Sequence, residues 1–276
     1  MHWNGANPFG GRQEAMIDVS YQKKFLQVNQ IWYPGDTAIS ELLRQRRKAD
    51  ILFVHGVSIE ETKGRFRGWQ EYHTCMNDIT LTEEEMLAAV NKAVRYQFRR
   101  SEKDHIEIRF YTKTEIENMP ELLPAFANIY ERMYQSKGSD TKLNTAAIGK
   151  YLEADGIIFS AVWHEGEMLV FHSYICDEMD ARLLHSASCF REESADQSMI
   201  GRANKRLHWE DILYFKKKGL RRYDWGGISD FENPNGIDEF KLKFGGDQIT
   251  YYNVFAGNTL PGKLAVSTMK AMKRVN

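Results

Sequence analysis

From Ile106 onward the hydrophobic positions fall into short runs whose spacing switches between two and roughly 3.6 residues. Ile106, Ile108 and Phe110 alternate with charged residues, which predicts a strand. Thr114 and Glu117 have capping-box spacing, and Ile116, Met119, Leu122, Leu123, Phe126, Ile129, Tyr130 and Met133 follow at helical intervals. Pro120 falls near the start of that predicted helix, where it is tolerated, and Gly138 closes it. A second helix is expected from about Asn144 to Glu153. Three strand-like runs come next: GIIFSAVW (156–163), MLVFHSYI (168–175) and ARLLHSASCF (181–190). The short turns between them suit an antiparallel meander. After the loop REESADQSMIG, Leu207, Ile212, Leu213 and Phe215 predict a helix from about Ala203 to Lys218, with Gly219 as its cap. LRRYDWGG reads as a strand, GIDEFKLKF as a short helix and QITYYNVF as a further strand. The predicted order is β-α-α-β-β-β-α-β-α-β.

The first hundred residues are less regular. ADILFVHG (49–56) and Trp69–Ile79 read as strands, and Thr82 with Glu85 opens a helix carrying Met86, Leu87, Val90 and Val94 on one face. With 276 residues, 42% hydrophobic and 27% charged, the chain has room for one large domain or two small ones. No apolar run approaches the roughly 20 residues of a membrane span, so none is expected. MHWNGANPFGGRQEA lacks a basic segment followed by an apolar one, so no secretory signal is expected. Cys75, Cys176 and Cys189 are odd in number and lack metal-type spacing, which suits a reducing cytoplasm. The eight histidines include no HxxxH or HExxH pattern, so no metal site is expected.

The net charge of −1 hides an asymmetry: residues 200–276 hold 14 Lys and Arg against 8 Asp and Glu. A basic C-terminal part suits a phosphate-bearing ligand such as coenzyme A, a nucleotide-sugar or an RNA end, and DNA is not expected. Lys216–Lys218 and Arg221–Arg222 also read as an ordinary solvated helix face.

The densest motif is Tyr223–Gly246, YDWGGISDFENPNGIDEFKLKFGG. Two glycine pairs, Gly226-Gly227 and Gly245-Gly246, bracket Tyr223, Asp224, Phe240 and Lys241, and glycine used this densely marks backbone that needs positive φ or close approach. The order YDWGG, GI, FK-x-x-FGG resembles the C-terminal signature of the Fem-type aminoacyl transferases, a branch of the GNAT acyltransferase superfamily. KAVRYQFRRSEKDHIEIR (92–109) also resembles the Arg-rich helix that joins the two lobes of those enzymes. The likeness covers residues 70–256 well and residues 1–69 poorly, and a long helical-hairpin arm is missing. It implies an α/β (α+β) GNAT fold, a mixed central sheet flanked by helices. A reduced N-terminal GNAT-like lobe at 1–104 and a GNAT acyltransferase domain at 105–276 are expected.

The resemblance also implies chemistry. GNAT domains grip the donor pyrophosphate with a (Gln/Arg)-x-x-Gly-x-(Gly/Ala) loop before the central helix, at a helix N-terminus. The matching stretch is Ser198-Met-Ile-Gly201-Arg202-Ala203: Gly201 and Ala203 agree and Ser198 departs, with Gln197 one residue away and Lys205 and Arg206 adding charge. Lys241 takes the place of the Fem-type lysine that stabilises the charge built up during transfer. Asp224 is a candidate to accept a proton or orient the amine, or else to hydrogen-bond the loop backbone; Tyr223 alternates with it. Gly226 and Gly227 are expected at the opening for the donor, and Phe240 and His185 beside the substrate. His172 and Cys189 read as structural groups. Trp32, Tyr33 and Trp69 are expected either in an acceptor groove or in a core. The implied reaction is direct transfer of an acyl group to a primary amine of a sugar or peptide cell-envelope precursor. The donor is acyl-CoA (acetyl-CoA), with aminoacyl-tRNA as the alternative. An idle GNAT-like scaffold binding through its basic part is the rival reading.

Overall fold

The computed structural model describes residues 16–34, 42, 49–57, 68–192 and 196–272. The N-terminal fifteen residues read above for a targeting signal lie outside these, as do residues 193–195 of the polar loop. Ten strands make one mixed sheet: β1 (Ile17–Lys23), β2 (Leu26–Trp32), β3 (Ile51–Val57), β4 (Gly68–Asp78), β5 (Glu107–Tyr111), β6 (Ile157–His164), β7 (Glu167–Cys176), β8 (Asp180–Ser188), β9 (Arg222–Ile228) and β10 (Asp247–Gly257). Their order is β1-β2-β3-β10-β4-β9-β8-β7-β6-β5. The helices among the described residues are α1 (Glu83–Ala89), α2 (Lys92–Ser101), α3 (Lys113–Asn118), α4 (Leu122–Gln135), α5 (Thr145–Glu153), α6 (Gln197–Lys217), α7 (Gly236–Leu242) and α8 (Leu260–Ala271). The expected mixed sheet flanked by helices is therefore present.

The chain divides into two compact units, one of residues 1–73, 149–154 and 249–276 and the other of residues 74–148 and 155–248. Residues 74–104, expected with the N-terminal lobe, fall in the second unit, and the C-terminal residues from 249 fall in the first. In the first unit β1 and β2 form a hairpin, β2 and β3 run parallel, and β3 pairs antiparallel with β10. Trp32 is buried there, stacked on His55 at 3.4 Å between ring centres, with its indole N–H donated to the Tyr151 hydroxyl. Trp69 meets Tyr252 edge-on.

In the second unit β5 to β8 form the predicted meander, each strand antiparallel to the next. Strand alternation sends Phe159 and Phe171 to one face, where Phe126 of α4 packs on both. Val162 and Val170 point to the other face and meet Ile200, Ala203 and Leu207 of α6. Beside them Trp209, Ile212 and Phe215 of α6 pack with Tyr174, Tyr223 and Trp225. Each such large apolar group contributes roughly 1.5–3 kcal/mol by leaving water.

Several boundaries differ from expectation. The helix predicted across residues 116–133 is two helices, because Pro120 lies in the break between α3 and α4. Its first cap is Thr112 with Glu115, not Thr114 with Glu117. The helix opened by Thr82 likewise ends at Val90, and Asn91 caps a new one. The long central helix begins at Gln197 rather than near Ala203, with the Asp196 carboxylate accepting the Met199 N–H. It ends in a Schellman motif: Gly219 adopts φ 88°, and the Leu220 N–H reaches the Phe215 carbonyl.

Candidate active site

Strands β8 and β9 run parallel, but their ladder holds only three residue pairs and ends at Arg182–Asp224. Beyond it β8 continues to Ser188 and β9 to Ile228, so the two strands part. Gly226, two residues past the last pair, adopts φ 66°, which a residue with a Cβ rarely takes.

Asp224 is buried beside this opening. Its Oδ1 accepts the Gly226 N–H at 2.8 Å and the Thr74 hydroxyl, so this half of the carboxylate fixes the backbone of the turn. Its Oδ2 is buried with no hydrogen-bond partner, and the Arg182 Nε lies 3.8 Å away. One carboxylate thus serves both roles weighed for it: one oxygen is structural and the other is left to act.

Lys241 reaches the same place from α7. Its Nζ donates to the Gly227 carbonyl at 2.6 Å and the Gly226 carbonyl at 3.4 Å. Burial lowers its pKa and the Arg182 charge adds to that, while Asp224 and Asp238 pull the other way. An ammonium has three N–H donors, so a third remains for a ligand. The helix that carries it is locked by a polar clasp. Asn235 caps α7 by accepting the Ile237 and Asp238 N–H groups, and Asp238 accepts from the Ser229 N–H, the Ser229 hydroxyl and the Asn235 N–H. Burial works to raise the Asp238 pKa, but these bonds outweigh it and hold the carboxyl below its usual range. The polar loop of the motif is therefore a device for aiming Lys241.

The other expected residues are distributed differently. Tyr223 is fully buried on the α6 face, its hydroxyl 2.8 Å from the Tyr174 hydroxyl and 2.9 Å from His208 Nδ1. That network continues through Asp211, which bonds Tyr174 at 2.6 Å and His172 Nδ1 at 2.7 Å, and ends where His172 Nε2 meets Asn204. His172, His208 and Asp211 group closely enough to offer ligands to a metal ion, a juxtaposition that the spacing of the histidines does not reveal. Phe240 packs among Trp225, His208 and Phe244. His185 bonds the Ser173 hydroxyl at 2.8 Å and meets Tyr130 edge-on, and burial lowers its pKa to about 4.

Ser198, Gly201, Arg202 and Lys205 do gather around one cavity of about 540 Å³, joined by Arg100 and Lys243. They do so as helix positions, not as a loop. Gly201 and Ala203 lie inside α6, where N–H groups beyond the first turn bond to carbonyls four residues back. Ala203 is wholly buried in the core, and a Cβ on Gly201 would meet only ordinary contacts, the Phe190 ring at 3.6 Å and Lys205 Nζ at 3.9 Å. Arg202 gives a two-pronged pair to Asp104, both bonds 2.7 Å. Lys205 donates to the Gly201 carbonyl at 3.0 Å, and burial, Lys243 and Arg202 together lower its pKa. Arg182 and Thr74 were missed by sequence reasoning, because only strand pairing brings them to Asp224.

No protein-family model matches the chain, and no curated protein matches it by sequence. Solved structures do. FemX matches with a TM-score of 0.59 at 12% identity, over 86% of this chain and 83% of its own. The C-terminal domain of a putative lysylphosphatidylglycerol synthetase from Agrobacterium fabrum gives 0.58 at 12% identity, over 95% and 86%. The chain has a Fem-type, GNAT-like fold. The L-PGS structure from Bacillus licheniformis agrees, with a TM-score of 0.53 at 12% identity over 92% of this chain and 85% of its own. In this fold the parting of β8 and β9 is the opening into which the GNAT resemblance puts the acyl donor.

Proposed function

We propose that the chain is a Fem-type transferase that moves an activated aminoacyl group from a tRNA ester directly onto a primary amine. The observation that carries this reading is the end of the β8–β9 ladder at Arg182–Asp224, with the Lys241 ammonium held at the same point. The amine nitrogen attacks the ester carbonyl, a C–N bond forms, and the electron pair moves onto the carbonyl oxygen. The third N–H of Lys241 stabilises that oxyanion, in a site where burial makes its charge count for more. The free Oδ2 of Asp224 takes the proton released by the amine, and the C–O bond to the ribose breaks as the oxyanion collapses. The acceptor is a sugar or peptide cell-envelope precursor, by the Fem-type resemblance.

The start of α6 favours an RNA donor over acyl-CoA. A pyrophosphate gripped by helix N–H groups would compete with the Asp196 carboxylate, which already caps that terminus and repels a second anion. A second reading, acyl-CoA, is favoured by the cationic cavity lined by Arg100, Lys205 and Lys243. Purified protein should be given charged tRNA or acyl-CoA with an amine acceptor, and the N-acylated product followed by mass spectrometry. Product from charged tRNA that ribonuclease abolishes supports the first reading. Product only from acyl-CoA replaces it with the second, and product from neither overturns both. In the active system Lys241→Met should lower kcat by about 100-fold or more while changing donor affinity little, because an oxyanion donor acts in the transition state. Wild-type turnover in that variant would remove Lys241 from the mechanism.

A further inference from the structure

In the first unit two segments far apart in sequence are pinned side by side. The Asp50 carboxylate accepts the Gln27 N–H at 2.8 Å through one oxygen and the Thr259 hydroxyl through the other. Gln27 follows the β1–β2 turn, and Thr259 is the N-cap of α8. Behind the turn Leu26 packs with Val266, Ala265 and Met269 of α8, which fixes which side of that helix faces inward. The turn is Lys24–Phe25, with Lys24 at φ 57°, and it projects Phe25 outward at 77% exposure. On α8 the outward positions one turn apart are Leu260 and Leu264, exposed at 82% and 71%. Three large apolar side chains so exposed on neighbouring elements are costly in water unless something covers them.

Charge narrows what that is. Lys23, Lys24 and Lys270 are exposed beside these groups. Neither the turn segment from Gln22 to Gln27 nor α8 contains an acidic residue, and both oxygens of the nearby Asp50 are occupied as above. Apolar groups flanked by lysines, with no acids among them, match the boundary of an anionic bilayer, where the apolar tips enter the headgroup region and the ammoniums meet lipid phosphates. We propose that the face carrying Phe25, Leu260 and Leu264 docks on an anionic lipid surface. RNA offers the same phosphates but no apolar layer for three exposed hydrophobic side chains.

The test is flotation of the full chain with vesicles of phosphatidylcholine alone or with about one-third phosphatidylglycerol, at about 0.1 M salt. Binding should require the anionic lipid and weaken as salt rises. Phe25→Ser/Leu260→Ser/Leu264→Ser should reduce it by about 10-fold or more, and Lys23→Glu/Lys24→Glu by a similar factor, since each lysine near such a surface is worth roughly fivefold. These positions are exposed, so unchanged melting temperatures will establish that both variants fold. No binding to anionic vesicles, or binding that the apolar triple variant retains, overturns the proposal. Self-association that the triple variant abolishes, without vesicle binding, gives the face to a second copy. Binding of tRNA that needs the lysines but not the apolar groups, with no vesicle binding, gives it to RNA. The readout does not use catalysis, so its failure is separate from failure of the transferase reading.

Discussion

Replacing Gly246 with alanine should damage this protein far more than replacing Gly219, although both glycines have positive φ. Gly219 sits at φ 88° with nothing within 4 Å of where a Cβ would stand. Its alanine variant therefore bears only the backbone cost, about 1–2 kcal/mol. Gly246 sits at φ 99°, and a Cβ there would lie 2.7 Å from the Met76 carbonyl oxygen. That oxygen belongs to β4, so it cannot swing away as a flexible side chain would. Overlap of this kind adds about 1–3 kcal/mol, giving roughly 2–5 in all. Gly245, at φ 76° with the Ala89 Cβ at 3.0 Å and its carbonyl oxygen at 3.1 Å, should fall between the two. Thermal and urea unfolding of the three alanine variants will read this out, at about 2–4 °C per kcal/mol for a domain of this size. A Gly246→Ala protein that melts at or above Gly219→Ala would refute the reasoning. The consequence for function is indirect. This turn seats α7 against β4 and the end of α1, through Cys75 to the Gly245 carbonyl and Asn77 to the Phe244 carbonyl. Activity should then fall only as far as the folded fraction does. At the first glycine pair the positive φ of Gly226 means that its alanine variant will also lose about 1–2 kcal/mol, so Gly227 is the cleaner probe of the opening.

Two further outcomes follow from the charged groups. Arg202→Leu should cost about 2–4 kcal/mol by stranding Asp104, and Asp104→Leu/Arg202→Leu should recover part of it; a variant with wild-type stability but raised donor KM would make Arg202 a ligand instead. His185 is held neutral with its pKa lowered to about 4, so its contribution is whole above the ordinary value of 6.5 and is lost as pH falls toward 4. His185→Gln should therefore shrink the loss of stability between neutral and acid pH by on the order of 2 kcal/mol, and an equal loss in both proteins would refute this.

The meander was legible because its strands alternate cleanly and its turns, HEGE and CDEMD, are short and polar. The breaks in the helices were not. Helical spacing continues from Ile116 to Met133 straight across Pro120, and Thr112 and Thr114 both have a glutamate three residues on, so pattern alone prefers neither cap. Ser198 and Gly201 read as loop, yet the Asp196 cap starts the helix ahead of them. The β1–β2 hairpin alternates well, but its turn is Lys24–Phe25, where the positive φ falls on a lysine and no glycine or asparagine signals it. In the site, Lys241, Asp224 and Gly226 could be named from the motif because they are close in sequence. Arg182, 42 positions before Asp224, arrives through strand register, which periodicity does not encode.

That division explains why the glycine-rich stretch carries so much of the signal. A lysine that must keep its charge in a dry site needs partners that neither neutralise it nor leave it exposed. Two backbone carbonyls meet that need, since they hold the ammonium by dipoles and leave its full charge for the oxyanion. Presenting two successive carbonyls to one ammonium requires irregular backbone at the end of β9, which Gly226 provides. Returning a short helix to the same point requires a fixed loop, which Ser229, Asn235 and Asp238 provide, and a tight exit against β4, which Gly245 and Gly246 provide. Each residue of the motif thus answers one geometric demand of aiming Lys241 at the place where β8 and β9 part. Asp224 joins the two halves, with one oxygen on the Gly226 N–H and the other facing Arg182 across the last rung of the ladder.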